Sequence, residues 1–145
     1  MEFIDLGLKS GTLWADRDSG EVSAGMLPKA LVPTKAQFVE LMEECSKKRV
    51  WGGLKLTGPN GNSIVLSLNG YGVPVYNLEA SDSDISERDK RKVREFTRKS
   101  DGRGFYRTAD WDDRHNVIVV VDGNGYEVRA SENPYRFGLR NCKDS

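Results

Sequence analysis

The 145-residue chain carries 22 acidic and 22 basic side chains, a formal net charge of zero, with 37% hydrophobic and 30% charged residues. That suits one domain around one core and a folded chain, not a disordered one. Zero net charge leaves no global field to attract nucleic acid or an anionic membrane, so such binding would need a local patch. No run approaches the ~18 apolar residues of a membrane-spanning helix.

The opening Met1-Glu2-Phe3-Ile4-Asp5-Leu6 lacks a basic region followed by an apolar one, so no secretory signal is expected in this chain. Residues 3–6 read as a short strand. Ser10-Gly11-Thr12 lacks the pattern of a nucleophile elbow. Residues 34–47 read as a helix. Thr34 is the expected N-cap, with Gln37 completing a capping box, and Phe38, Leu41, Met42 and Cys45 form one apolar stripe. Lys47, Lys48 and Arg49 are then expected at its C-terminal end, where positive charge favours the helix dipole.

Residues 54–57 and 64–68 flank Gly58-Pro59-Asn60-Gly61-Asn62 and predict a hairpin. Residues 79–104 are highly charged and poor in large apolar side chains. Asp84 or Ser86 is an expected cap for a surface helix there, anchored by Ile85, Val93 and Phe96. The run of Arg and Lys from Arg88 to Lys99 is read as a solvated face or mobile loop, with a docking surface for an acidic partner or nucleic acid as the sharper alternative, the nucleic-acid version being the weaker for lack of interleaved aromatics. Val117 to Val121 predicts a buried strand, and Asp122-Gly123-Asn124-Gly125 turns it into a partner at 126–130. A last strand is expected at 137–140.

The candidates for chemistry are few. Cys45 and Cys142 lack zinc-site spacing and are expected as reduced thiols, with a disulfide as the alternative. His115, the one histidine, precedes a strand and is expected at the surface. No metal site and no cofactor are expected. Trp111-Asp112-Asp113 and Glu132-Asn133-Pro134 only superficially match calcium-lectin triplets, and the second comes in the wrong order. Asp112 and Asp113 are instead expected to close a turn. What remains is contact chemistry. Tyr106, Trp111, Tyr126 and Tyr135, with Arg107, Arg114, Arg129 and Arg136 near them, are the residue types that carry interfaces. Tyr106, Arg107, Trp111, Arg114, Tyr126, Arg129 and Tyr135 are the expected binding residues.

Three segments carry a family resemblance: residues 5–15 (DLGLKSGTLWA), residues 32–41 (VPTKAQFVEL) and residues 56–64 (LTGPNGNSI). In this order they resemble the Fibrobacter succinogenes major paralogous domain family of Bacteroidetes and their phages, with a more diluted match from Gly104 onward. The resemblance implies an α+β, C-type-lectin-like fold with one or two helices, short antiparallel strands and hairpins, and paired terminal strands, so that residues 3–6 would pair with 137–140. Against the family, the 15–31 segment is short and 79–104 looks like a charged insertion. The implied function is a non-catalytic binding or structural module, a virion or surface decoration protein contacting protein (capsid, tail or itself) or glycan. The alternative is a free carbohydrate- or peptide-binding module. The implied location is the virion or the host cytoplasm before assembly, or the cell surface if a leader has been removed.

Overall fold

The computed structural model describes residues 2–76, 93–131 and 135–145. The helix forms where the capping signal places it. In α1 (Lys35–Glu44), Thr34 Oγ1 accepts the Gln37 N–H, and the Gln37 side chain accepts the Thr34 N–H in return. It buries Phe38, Leu41 and Met42.

The helix stops earlier than its stripe suggests. Cys45 is already extended, and Ser46–Val50 leaves as a strand, β4. Lys47, Lys48 and Arg49 therefore lie on a strand and not at a helix end. The competing signal is local: Trp51 and Gly52 make a two-residue turn into β5 (Gly53–Thr57), and five cross-strand pairs follow from it. β5 then pairs with β6 (Ser63–Ser67), the hairpin expected from the Gly58-Pro59-Asn60-Gly61 turn. That turn needs glycine at Gly58, where a Cβ would stand 1.9 Å from the Leu6 carbonyl oxygen. Asn60 and Asn62 fasten it to the Asp5 carbonyl at 2.8 and 2.9 Å.

The first strands, β1 (Phe3–Asp5) and β2 (Leu13–Ala15), pair antiparallel. β3 (Glu21–Val22) leads into a 3-10 turn at Ala24–Met26. Beyond β6 come β7 (Tyr71–Tyr76), β8 (Val93–Lys99), β9 (Gly104–Asp112), β10 (His115–Val121), β11 (Tyr126–Ser131), β12 (Phe137–Gly138) and β13 (Cys142–Lys143). The sheets run β11-β10-β9-β12-β3, β4-β5-β6, β1-β2-β13 and β7-β8. The fold is mixed α+β, mostly antiparallel, with α1 its one α-helix among the described residues.

Two expectations need correction. The terminal strands do not pair with each other. β1 and β13 flank β2 in one sheet, while Phe137–Gly138 pairs with β3 and, in parallel, with β9. The reason lies in the side chains between β12 and β13. Phe137 is buried among other rings, Arg140 turns inward to Asp18, and Asn141 donates to the Leu31 carbonyl. The chain bends to serve all three, and its strand pairing with β2 begins at Cys142. The second correction is to the charged stretch. Val93 and Phe96 belong to a strand, β8, antiparallel to β7 and not part of a helix. The expected caps Asp84 and Ser86 lie outside the described residues.

The five-stranded sheet has two differently covered faces. Tyr106, Val119 and Val121 point to one side, into a core with Leu6, Trp14, Phe38, Leu41 and Leu66. Phe38 meets Trp14 edge-on at 5.2 Å and Tyr106 at 5.6 Å. Phe105, Ile118 and Val120 point to the other side, into a smaller cluster with Phe137, against which Tyr71 and Tyr135 pack.

Candidate binding site

Strand alternation decides which aromatic and arginine side chains can act together. On β9, Phe105 and Arg107 share one face, and Tyr106 takes the other. Tyr106 is 1% exposed. Its hydroxyl donates to the Ser67 carbonyl at 2.8 Å, and burial holds the phenol's pKa far above its ordinary value. Tyr106 is thus core, and the expectation that it contacts a partner is corrected.

Arg107 is also interior, at 0% exposure. Its guanidinium donates to the Val22 carbonyl, the Asn116 side-chain oxygen and the Tyr135 carbonyl, each at 2.8 Å, and lies over the Phe137 ring at 4.9 Å. Burial away from water lowers its pKa to about 10. Arg107 therefore holds the backbone of Tyr135 and the ring of Phe137 and does not itself face a partner.

Above it the sheet carries an aromatic cleft of about 280 Å³. Its walls are Tyr71, Phe105, Tyr135 and Phe137, and its rim includes Arg103 and Arg129. Tyr71 stacks on Tyr135 at 5.1 Å and 23°, and meets Phe105 edge-on at 4.6 Å. The stack is set by backbone: Gly72 and Arg136 exchange two N–H···O bonds of 2.9 Å, which puts their neighbours Tyr71 and Tyr135 side by side. Arg136 lies over the Phe96 ring at 3.8 Å, which fixes β8 to the same construction.

The rim is charged but balanced. Arg129 makes a bidentate pair with Glu127, both bonds 2.9 Å, and Arg103 pairs with Asp101 and lies 5.1 Å over the Phe105 ring. Each guanidinium holds its carboxylate's pKa below the usual range by hydrogen bonding, so both pairs are ionised at neutral pH. These groups sit at the surface, and the pairs orient side chains more than they stabilise the fold. Among the described residues, the cleft thus offers flat apolar rings next to two arginine–carboxylate pairs of balanced charge.

The remaining expected contact residues are dispersed. Trp111 is 48% exposed near the far end of β9, beside Lys35 and Val128. Arg114 is exposed in the β9–β10 turn, where Asp113 adopts a positive φ of 56°. Tyr126 leans to the helix side and donates to Glu43. Of the seven expected residues, Arg129 and Tyr135 reach the cleft, and Arg107 supports it from below. Tyr71, Arg103, Phe105 and Phe137 were missed, although period-two alternation from Phe105 and a ring at both ends of the chain's second half were readable signals.

A second, polar cleft of about 180 Å³ lies beside Asp18, Glu21, Ser67 and Arg98. Asp18 accepts from Arg140 at 2.7 Å, from Tyr106 at 3.2 Å and from the Ser67 hydroxyl. Arg140 also donates to the Ala15 carbonyl at 3.0 Å and to that of Val65. This network ties β2, β6 and the C-terminal segment together, so its polar groups are engaged in structure. Glu21 Oε2 is buried there with no hydrogen-bond partner among the described residues.

Cys45 and Cys142 are free and buried in the larger core, and desolvation raises their pKa to about 11 and about 12. His115 opens β10 opposite Asp112, partly exposed. Among the described residues no three His, Cys, Asp or Glu side chains converge as metal ligands, and no helix is long and apolar enough to cross a membrane. Residues 132–134 lie outside the described residues. Comparison with known proteins finds no matching family model, no matching curated protein and no matching solved structure.

Proposed function

We propose that this chain is a non-catalytic module that works by contact, binding a glycan in the aromatic cleft between β7, β9 and β11. The observation that carries the reading is the Tyr71–Tyr135 stack framed by two arginine–carboxylate pairs. A sugar ring has an apolar C–H face and a polar edge. Aromatic rings match the first, and planar guanidinium and carboxylate groups in register match the second. The zero net charge of the rim suits a neutral sugar better than a polyanion.

Within this proposal the chain is a C-type-lectin-like member of the family its sequence resembles, serving as a virion or surface attachment protein. The mixed α+β build and the gathering of both terminal strands around β2 support that assignment. A free carbohydrate- or peptide-binding module is the alternative, and oligomeric state separates the two. A decoration protein self-assembles or docks on a larger particle, while a free module stays monomeric in solution.

Glycan-array binding followed by calorimetry tests the site. Tyr135→Ala and Arg129→Ala are expected to weaken a captured glycan about 5- to 150-fold, the 1–3 kcal/mol of a contact hot spot, with unchanged melting. Glycan binding that both variants retain would place the site elsewhere.

A further inference from the structure

With no net charge, this chain can meet an anionic surface only through a local patch, and the β4–β5 hairpin supplies one. Lys47, Lys48, Arg49 and Lys55 are all exposed on it, and residues 46–57 include no Asp or Glu. None of the four has an ion-pair partner among the described residues. Lys48 and Lys55 stand directly opposite each other, an arrangement that works against strand pairing. Folding stability therefore does not account for Lys48 and Lys55.

At the tip stands Trp51, 101% exposed, the most exposed large hydrophobic side chain described. Its turn is tight, and Gly52 takes a positive φ of 69°, a conformation that glycine adopts without the steric cost of a side chain. Arg49 anchors the hairpin to the body of the fold, its guanidinium lying over the Gly102 and Gly123 turns, where a Cβ would approach it to 3.2 and 3.1 Å. Val65, 41% exposed, extends the outer row of Lys48 and Lys55.

We propose that this hairpin docks on an anionic lipid headgroup layer, with Trp51 entering the interface and Lys48 and Lys55 meeting the phosphates. Indole is amphipathic and settles at the headgroup level of bilayers. The order along the hairpin fits that depth. The lysines lie three residues behind the tip, about 10 Å at strand spacing, and interfacial elements bury their apolar face by roughly 5–10 Å. A convex tip with one aromatic suits a flat surface. A nucleic-acid strand is gripped instead by a positively charged groove with several stacking rings. The cleft residues take no part, so this surface and the glycan site stand or fall separately.

The test uses the full chain with vesicles of phosphatidylcholine alone or with 30% phosphatidylglycerol, by co-sedimentation at low salt (about 50 mM) and high salt (about 500 mM). Binding is expected only to the anionic vesicles, and only at low salt. Lys48→Glu with Lys55→Glu should weaken it about twentyfold or more, since each cation near such a surface contributes about fivefold. Trp51→Ala should weaken it about tenfold with an unchanged melting curve. In a Trp111→Phe background, indole emission should shift to the blue when anionic vesicles are added, because Trp14 is already buried. Three results overturn the proposal: no anionic-vesicle binding at low salt, binding indifferent to both sets of substitutions, or a single-stranded oligonucleotide that binds through the same residues while vesicles do not.

Discussion

The two faces of the five-stranded sheet are built from the same strands, yet they differ in chemistry. The face toward α1 is closed by Leu41, Met42, Leu54, Leu56 and Leu66 around Trp14 and Phe38, all at 0% exposure. The opposite face has four buried residues in its cluster and is finished by partly exposed tyrosines and a caged arginine. Closure gives the first face its stability, since buried apolar area is the main favourable contribution to folding. The second face gives up some of that area and keeps instead an open set of rings, which is what a ligand can use.

The largest effect should come from opening the closed face. Phe38→Ala removes a ring that touches both Trp14 and Tyr106. It is expected to cost about 3–5 kcal/mol, a large share of the roughly 5–15 kcal/mol by which such a domain is stable. Urea unfolding measures it. A loss below about 1 kcal/mol would mean that the two faces do not differ as described.

The closed face was also the legible one. The helix announced itself through its cap and its 3.6-residue stripe, and the 53–67 and 115–131 hairpins through glycine-rich turns between apolar runs. The open face was harder to read because its parts are distant in the chain. Tyr71 comes from β7 and Tyr135 from the segment before β12, joined by a single backbone bridge at Gly72 and Arg136. No local pattern encodes such a bridge. Tyr106 and Arg107 could have been separated in advance, since adjacent strand residues face opposite ways. The terminal pairing failed for a similar reason. Residues 137–140 were read as one strand, but the side chains of Arg140 and of Asn141 just beyond it have tertiary partners that bend the chain.

The caged arginine should respond next, and in a way that separates charge from packing. Arg107→Ala leaves Asn116 and two carbonyls without their donor, at about 2–4 kcal/mol, because buried acceptors lose their partners. Arg107→Met fills the volume without a charge to desolvate and should cost clearly less. Equal losses would show that the lost hydrogen bonds, and not the packed volume, set the cost. Tyr71→Ala, by contrast, should lower melting only slightly, as the ring is partly exposed, while removing the stacking partner of Tyr135. Binding of any captured glycan should fall about 5- to 150-fold. A large stability loss with intact binding would reverse the roles given to the two faces.

The smallest effect tests the closure of the first face through its thiols. Cys45 and Cys142 lie in that core, and desolvation raises their folded pKa from 9.0 to about 11 and about 12. Above pH 9 the unfolded chain ionises its thiols while the folded chain keeps them protonated. The folded state then binds more protons, and stability falls as pH rises. The contribution is complete below pH 9 and is lost progressively between pH 9 and about 12. Replacing both cysteines with alanine removes this slope along with some packing. The melting temperature of the native chain should therefore fall more steeply over pH 9–11 than that of the double variant, by a few degrees. At pH 8 a thiol reagent should modify the native chain only as fast as it opens, since a buried protonated thiol is a poor nucleophile. Parallel alkaline slopes together with rapid labelling at pH 8 would mean that water reaches this face, and the contrast between a closed side and an open one would be lost.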